Sequence, residues 1–320
     1  MATIQDVQEA VSGVAEAVGP RIVGVTGGRS SGSGVIVGKD RVLTNAHNLS
    51  GAHPHSGRMP RGTRHPRELT ISFSDGRTEA AEVVAADVEN DLAVLEVSTG
   101  DAKPIDWANG SSSPNGSNVG IGAPVFALSN PGGRGLRVTF GLVSGTERTF
   151  SGPRGRKIGG GIEHTAPLLP GSSGGPIVDG EGRLLGINTH RLGEGFYLAI
   201  AADESLKKRT DTLSRGDAPE RAHLGVAIAP PHVAQRLRRA VGLPEADGLL
   251  VRGVREGSAG DKAGLKEGDL LVKAGGRDLK TVDELFAALD GVEVGGSLEI
   301  EVLRGTEALT VTAVFTEDKE

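Results

Sequence analysis

The sequence predicts a mainly β protein with a smaller module at its C-terminal end, and three observations support this. From about residue 20 to 205, short apolar runs such as Gly34-Val35-Ile36-Val37-Gly38 alternate with turns rich in Gly, Asn and Ser. Aromatic residues make up only 3% of the 320 residues. Packing therefore relies on Val, Ile, Leu and Ala, which suits many short strands better than a large helical core. Residues 207 to 221 are charged and polar, with Gly216 and Pro219, and read as a linker between a first domain, 1–206, and a second, 222–320. A chain of this length has room for two or three cores.

The first element is a helix over 3–18. Ile4, Val7, Val11, Val14 and Val18 recur at three- and four-residue spacing, and Thr3 with Asp6 suits its start. Its apolar face packs either on its own domain or on another copy of the chain. A strand pair follows, Gly34–Gly38 and a run from Arg41 that leads to His47, joined by the turn Lys39-Asp40. Glu89 to Val97 contains an alternating apolar strand, and 109–122 is a connection rich in Gly, Ser and Asn. Two longer loops stand out, 50–66 and 148–161. The first holds His53, His55 and His65 without an acidic or Cys ligand at useful spacing, so no metal is expected. The second holds Arg154, Arg156 and Lys157 among glycines and reads as an exposed turn. Gly27 to Gly34 lacks the Gly-Lys-Ser/Thr ending of a phosphate loop. A short helix is expected around 203–208.

Composition excludes several classes. A net charge of −6 argues against a basic nucleic-acid surface. With no Cys there is neither a disulfide nor a thiol nucleophile. No apolar run reaches the ~18 residues that a membrane span needs. The N-terminus lacks the charged start and apolar core of a secretory signal, which points to the cytoplasm for the chain as encoded, or to the cell envelope if a leader is missing.

The chemistry centres on Pro170-Gly171-Ser172-Ser173-Gly174-Gly175-Pro176. A serine on a glycine-lined turn can be approached by a substrate carbonyl, and the flexible flanks let backbone N–H groups converge into an oxyanion hole. Serine needs a base, and histidine, with a pKa near 6.5, suits that task. Of the eight histidines only His47 ends a segment built to hold its side chain rigidly, Arg41-Val42-Leu43-Thr44-Asn45-Ala46-His47. A buried carboxylate must in turn orient the imidazole. Asp91, just before Leu92-Ala93-Val94-Leu95, fits that role.

Thr44-Asn45-Ala46-His47, Asn90-Asp91-Leu92-Ala93-Val94-Leu95 and Gly171-Ser172-Ser173-Gly174-Gly175-Pro176 together resemble the three motif blocks of the chymotrypsin-like serine proteases. They are closest to the HtrA/Deg branch, whose members carry one or more C-terminal PDZ domains. The order His, Asp, Ser matches that clan and not the subtilisin or α/β-hydrolase orders. The resemblance covers nearly the whole chain. It implies a chymotrypsin-like double β-barrel with a C-terminal α+β PDZ domain, His47 and Asp91 in the first barrel and the nucleophile in the second. It also decides between the two serines: Ser173, directly before the Gly pair, is the implied nucleophile, with the N–H groups of Gly171 and Ser173 as oxyanion donors. Ser172 departs from the Asn common at its position. Pro167, six before the nucleophile, is implied at the base of the primary specificity pocket beside Leu168, with Asn188, Thr189 and His190 as the side wall. The basic loop falls where the family has a regulatory loop.

In the second module, Leu224-Gly225-Val226-Ala227-Ile228 resembles the carboxylate-binding loop and first groove strand of a PDZ domain, and Gly257 to Leu271 resembles its most recognisable signature. Val282, Leu285, Phe286 and Leu289 repeat at helical spacing, and Leu285 is the residue expected on the groove. Such a groove adds an extended peptide as a strand and receives its terminal carboxylate. The resemblance therefore implies a cofactor-free serine endopeptidase acting on unfolded polypeptides in protein quality control, binding C-terminal peptides with apolar ends, and assembling as a trimer. The alternative is a catalytically silent scaffold or chaperone that keeps the fold.

Overall fold

The computed structural model describes all residues except 1–3, 28–29, 53–68, 109–118, 153–156, 194, 218–221, 230, 291, 293–294 and 316–320. His53, His55, His65, Arg154 and Arg156 therefore lie outside the described residues. The chain divides into two compact units, Met1–Ala218 and Pro219–Glu320.

The first unit begins with α1 (Ile4–Val18). Val14 and Val18 of its apolar stripe are buried and Val11 is partly so, whereas Ile4 and Val7 are exposed. Twelve strands follow: β1 (Ile22–Gly27), β2 (Ser30–Gly38), β3 (Arg41–Thr44), β4 (Leu69–Ser72), β5 (Thr78–Asp87), β6 (Leu92–Glu96), β7 (Pro124–Ser129), β8 (Arg137–Ser151), β9 (Lys157–His164), β10 (Pro176–Val178), β11 (Leu184–Gly193) and β12 (Phe196–Ala201). They close into two barrels of the same topology, β1-β2-β3-β6-β5-β4 and β7-β8-β9-β12-β11-β10. Val23, Val25, Ile36, Val42, Ile71 and Leu95 fill the first barrel, and Val125, Ala127, Val143, Ile162, Ile177 and Ala199 the second. A third apolar layer joins Leu43, Leu92 and Val94 of the first barrel to Leu128, Leu184, Ile187 and Leu198 of the second. Leu92 to Leu95 are therefore all buried, because both faces of β6 meet apolar neighbours.

Two expectations are corrected. The basic segment 148–161 is less of a loop than its glycines suggest: β8 runs to Ser151 and β9 starts at Lys157, because Phe150 and Ile158 pair across the hairpin and are both buried. Residues 207–214 are not linker but the body of α2 (Glu204–Ser214). Asp203 accepts from the Leu206 N–H as N-cap at 2.8 Å, and Leu206 and Leu213 bury against the layer that holds Leu92 and Val94. Polar composition alone misreads a helix that buries only one narrow stripe.

The second unit contains β13 (Val226–Ile228), α3 (Pro231–Ala240), β14 (Leu249–Val254), α4 (Ala259–Lys262), β15 (Leu270–Ala274), β16 (Arg277–Asp278), α5 (Val282–Asp290), β17 (Ser297–Arg304) and β18 (Glu307–Val314). The sheet order is β13-β14-β15-β17-β18, with β16 paired to β15. Leu249, Val251, Leu271, Ile300 and Val302 form its core with Leu285 and Leu289 of α5. Asp269 is buried and takes a fork of two 2.8 Å bonds from Arg304. Burial opposes its charge, but the guanidinium and the Lys266 N–H outweigh that and hold its pKa below the usual carboxylate range.

Candidate active site

His47 leaves the end of β3 on a 3-10 turn, Ala46–Ala52, whose approach is fixed by buried Thr44 and Asn45. Asp91 sits in the β5–β6 turn with φ 56°, a left-handed conformation that few side chains other than Asp and Asn adopt. Several bonds hold it there. Asn45 Nδ2 donates to the Asp91 carbonyl at 2.9 Å, and the Asn90 N–H donates to Asp87, which pairs with Arg209 of α2 at 3.5 Å. The Asp91 carboxylate is fully buried, and its oxygens are served by the His47 backbone N–H (3.0 Å), His47 Nδ1 (2.8 and 2.9 Å) and Thr189 Oγ1 (2.7 Å). An ionised carboxylate tolerates burial only with such partners. Because Nδ1 donates to Asp91, the lone pair of His47 lies on Nε2, as a general base requires.

Ser173 lies on two consecutive type II turns between β9 and β10. In the first, Leu169 to Ser172, Pro170 and Gly171 (φ 88°) occupy the central positions, and the Ser172 N–H donates to the Leu169 carbonyl at 3.1 Å. In the second, Ser172 to Gly175, Gly174 has φ 87° and the Gly175 N–H donates to the Ser172 carbonyl at 3.0 Å. A Cβ on Gly174 would also run into the Ser33 carbonyl, so both backbone angle and space demand glycine. Among the described residues neither the Gly171 nor the Ser173 N–H has an acceptor, which leaves both available to a substrate oxyanion. The Ser173 hydroxyl donates to the Thr189 carbonyl at 3.0 Å. Ser172 is buried and points its hydroxyl at Ser129 Oγ (3.1 Å), away from the chemistry.

A cleft of about 250 Å³ borders Ser173, lined by Leu168, Leu169, Pro170, Gly171, Ser172, Thr189 and Tyr197. Leu168 and Thr189 are where the pocket was expected. Pro167 is not among the lining residues and is exposed. Asn188 is not a wall residue either. It is fully buried, with its amide bonded to His164 Nε2 (2.9 Å) and the Pro176 carbonyl (3.3 Å), because the alternation along β11 turns it inward where Thr189 faces the cleft. The His190 side chain lies outside the described part.

Sequence reasoning missed Tyr197 and His164. They are register partners on β12 and β9, with rings 5.8 Å apart and nearly parallel at 27°. Burial lowers the His164 pKa from 6.5 to about 4, with the Asn188 bond pulling weakly the other way. It also missed the double role of Thr189, whose hydroxyl holds Asp91 while its carbonyl holds Ser173. No local sequence signal marks either.

In the second unit, β13 is an edge strand, paired among the described residues with β14 alone. Val226 and Ile228 are half-buried toward the core and Ala227 is exposed. Gly225 precedes the strand with φ 76°, and the Leu224 and Gly225 carbonyls are tied to the Gly260 and Arg255 N–H groups at 2.8 Å each. Among the described residues the N–H groups of Leu224 and Gly225 have no acceptor. Leu285, expected on the groove, is buried at 4% exposure in the domain core, where its helical position points inward with Leu289.

Two closed six-stranded barrels with a Ser, a His and a buried Asp brought together in this way define the class of chymotrypsin-like serine peptidases, here followed by a PDZ domain. Comparison with known proteins agrees. A trypsin-like peptidase domain model matches residues 32–187 and a PDZ domain model residues 250–304. The chain is 30% identical over 298 residues to the serine protease Do-like HtrA of Bacillus subtilis (strain 168), covering 88% of this chain and 62% of that one. It is 31% identical over 303 residues to a probable periplasmic serine endoprotease, DegP-like, of Rhizobium meliloti (strain 1021), covering 92% of this chain and 54% of that one. Among solved structures, the HtrA-type protease AlgW with a tripeptide superposes with a TM-score of 0.57 at 26% identity, covering 95% of this chain and 96% of that one. The chain thus carries a trypsin-like peptidase domain followed by a PDZ domain, and the relatives it resembles are named HtrA and DegP-like serine proteases. It spans just over half to about three fifths of the length of the two curated relatives named.

Proposed function

We propose that this chain is a serine endopeptidase that cleaves unfolded polypeptides through an acyl-enzyme. The observation that carries the reading is the buried Asp91 bonded to His47 Nδ1, beside a Ser173 whose turn leaves two N–H groups open. In this mechanism Ser173 Oγ rotates from the Thr189 carbonyl to His47 Nε2, gives up its proton there, and attacks the scissile carbonyl. The oxyanion is received by the Gly171 and Ser173 N–H groups, and His47, now protonated and stabilised by Asp91, protonates the leaving amine. Water, deprotonated by the same imidazole, then hydrolyses the ester. No cofactor enters these steps.

The cleft sets the substrate. Leu168, Leu169 and Tyr197 offer apolar surface, and none of its described lining residues is a carboxylate. An unpaired Lys or Arg side chain buried there costs several kcal/mol, so cleavage falls after Val, Ala, Leu or Ile. The open edge of β13 and the free N–H groups of Leu224 and Gly225 support a PDZ groove that captures an apolar C-terminus by strand addition. Exposed Ile4 and Val7, continuing the buried stripe of α1, support assembly into a homo-oligomer such as a trimer. Among the described residues no helix is long and apolar enough to cross a membrane. Relatives named as periplasmic favour the cell envelope over the cytoplasm as the place of action.

The direct test is labelling with a serine-directed fluorophosphonate. Labelling at Ser173 that disappears in His47→Ala, together with cleavage of casein at aliphatic P1 residues, is the expected result. A wild-type chain that folds but is neither labelled nor cleaves casein is instead the silent scaffold.

A further inference from the structure

We infer that Ser33, on β2 of the first barrel, is a positioning residue for the oxyanion hole on the second. Ser33 is fully buried. Its Oγ accepts from the Asn130 N–H at 3.0 Å and donates to the Gly171 carbonyl at 2.8 Å, and its backbone N–H donates to the Ser173 carbonyl at 2.9 Å. Its own carbonyl accepts from Thr44 Oγ1 at 2.7 Å, which ties the residue to the strand that leads to His47.

The peptide planes explain what these bonds do. The oxyanion donor of Ser173 belongs to the 172–173 peptide. The planes on either side of it are 171–172 and 173–174, and Ser33 holds the carbonyl of each. The N–H of the first is pinned to the Leu169 carbonyl and that of the second to the Asn188 carbonyl. With both flanking planes clamped, the plane between Ser172 and Ser173 can move only by flipping about its own Cα–Cα axis, and the Gly175 N–H bond to the Ser172 carbonyl opposes that flip. The Gly171 donor lies in the 170–171 plane, at the centre of the first type II turn, and rotation of that plane would exchange a type II for a type I turn. The Ser33 hydroxyl anchors the carbonyl on its C-terminal side. An oxyanion hole works by having its donors oriented before the charge appears. Ser33 supplies that orientation from the other barrel, whereas Ser172, beside the nucleophile, points at Ser129 and does not hold either plane.

The inference rests on the peptidase reading, and its test separates the two. Wild type, Ser33→Ala, Ser33→Cys and Ser129→Ala are compared with one aliphatic peptide substrate, the boronic acid of the same sequence as a tetrahedral mimic, and the free-acid product as a ground-state ligand. The expected result for Ser33→Ala is a fall of about ten- to a hundredfold in kcat and in boronate affinity together. This is less than the ~10²–10³ lost when a donor is removed outright. KM and product affinity stay within about twofold, and the pH profile of kcat keeps its shape because His47 and Asp91 are untouched. Ser129→Ala, which removes another buried hydroxyl, at the end of β7, retains kcat. Ser33→Cys, close in size but a poor donor, behaves like Ser33→Ala and serves if the alanine variant does not fold. Wild-type boronate affinity in either folded Ser33 variant overturns the inference, as does a parallel loss of boronate and product affinity. An unlabelled, inactive wild type would instead remove the peptidase reading itself.

Discussion

Asp91 is the residue on which the site turns, because it is at once fully buried, held at positive φ and bonded three ways to His47 and Thr189. Asp91→Asn keeps the shape but reverses one donor and acceptor pairing, favouring the wrong imidazole tautomer, and lowers kcat by about 10⁴. Ser173→Ala lowers it by about 10⁶ with little effect on folding. Steady-state cleavage of an aliphatic peptide measures both, and near-normal turnover in Ser173→Ala would reassign the nucleophile. His164 gives a prediction of a different kind. Its pKa falls from 6.5 in the unfolded chain to about 4 in the fold, so below pH 6.5 the unfolded state takes up a proton that the fold refuses. Its contribution is complete above pH 6.5 and is lost progressively as pH falls toward 4, reaching about 2 kcal/mol by pH 5. Urea unfolding at pH 7 and pH 5 should show a larger drop for wild type than for His164→Gln, which retains a donor for Asn188. Equal drops would place the titration elsewhere.

Helix α2 shows how an element can serve a site that it does not touch. It follows the last strand of the second barrel, yet Leu206 and Leu213 pack with Leu92 and Val94 of the first. Arg209 pairs with Asp87 at the base of the Asp91 turn, and the Ser214 carbonyl accepts from Arg41 of β3 at 3.1 Å. The helix therefore braces both strands that carry His47 and Asp91. Leu213→Ala should destabilise the protein by about 2–4 kcal/mol through the cavity it leaves, and Asp203→Ala by about 1 kcal/mol through the lost N-cap. Thermal unfolding followed by circular dichroism measures both. A Leu213→Ala protein as stable as wild type would return this segment to the status of a linker.

At the scale of the molecule, the two barrels link residues 33, 47, 91, 173 and 189 through hydrogen bonds behind and beside one cleft, and a separate unit carries the open edge of β13. If the N–H groups of Leu224 and Gly225 receive a carboxylate, the full-length Ser173→Ala chain binds an apolar peptide with a free C-terminus in the micromolar range, about −8 kcal/mol. Amidating the peptide then weakens binding more than changing an internal side chain does. Calorimetric titration with paired acid and amide peptides reads this directly, and equal affinities would leave β13 as an ordinary edge strand. On that reading, carrying capture and cleavage in one chain raises the effective concentration of bound polypeptide for the peptidase. Removing the second unit should accordingly slow cleavage of unfolded protein more than cleavage of a short peptide.

What the sequence determined by itself is whatever local chemistry announces. The valine-rich short runs imply strands, the glycines around Ser173 imply its turns, and the blocks around His47, Asp91 and Ser173 together imply the class of protein. What only the tertiary structure decided are the contacts made across the chain. Ser33 reaches Gly171 over 138 residues and Thr189 reaches Asp91 over 98, and a single hydroxyl among many Ser and Thr residues carries no mark of such a partner. Asn188 and Leu285 were placed on the pocket wall and the groove by resemblance alone, and resemblance to a motif does not say which of two adjacent faces a side chain takes once the strand or helix is packed. The linker reading of 207–214 failed because a stripe as narrow as Leu206, Thr210 and Leu213 becomes apolar surface worth burying only when a barrel wall stands opposite it.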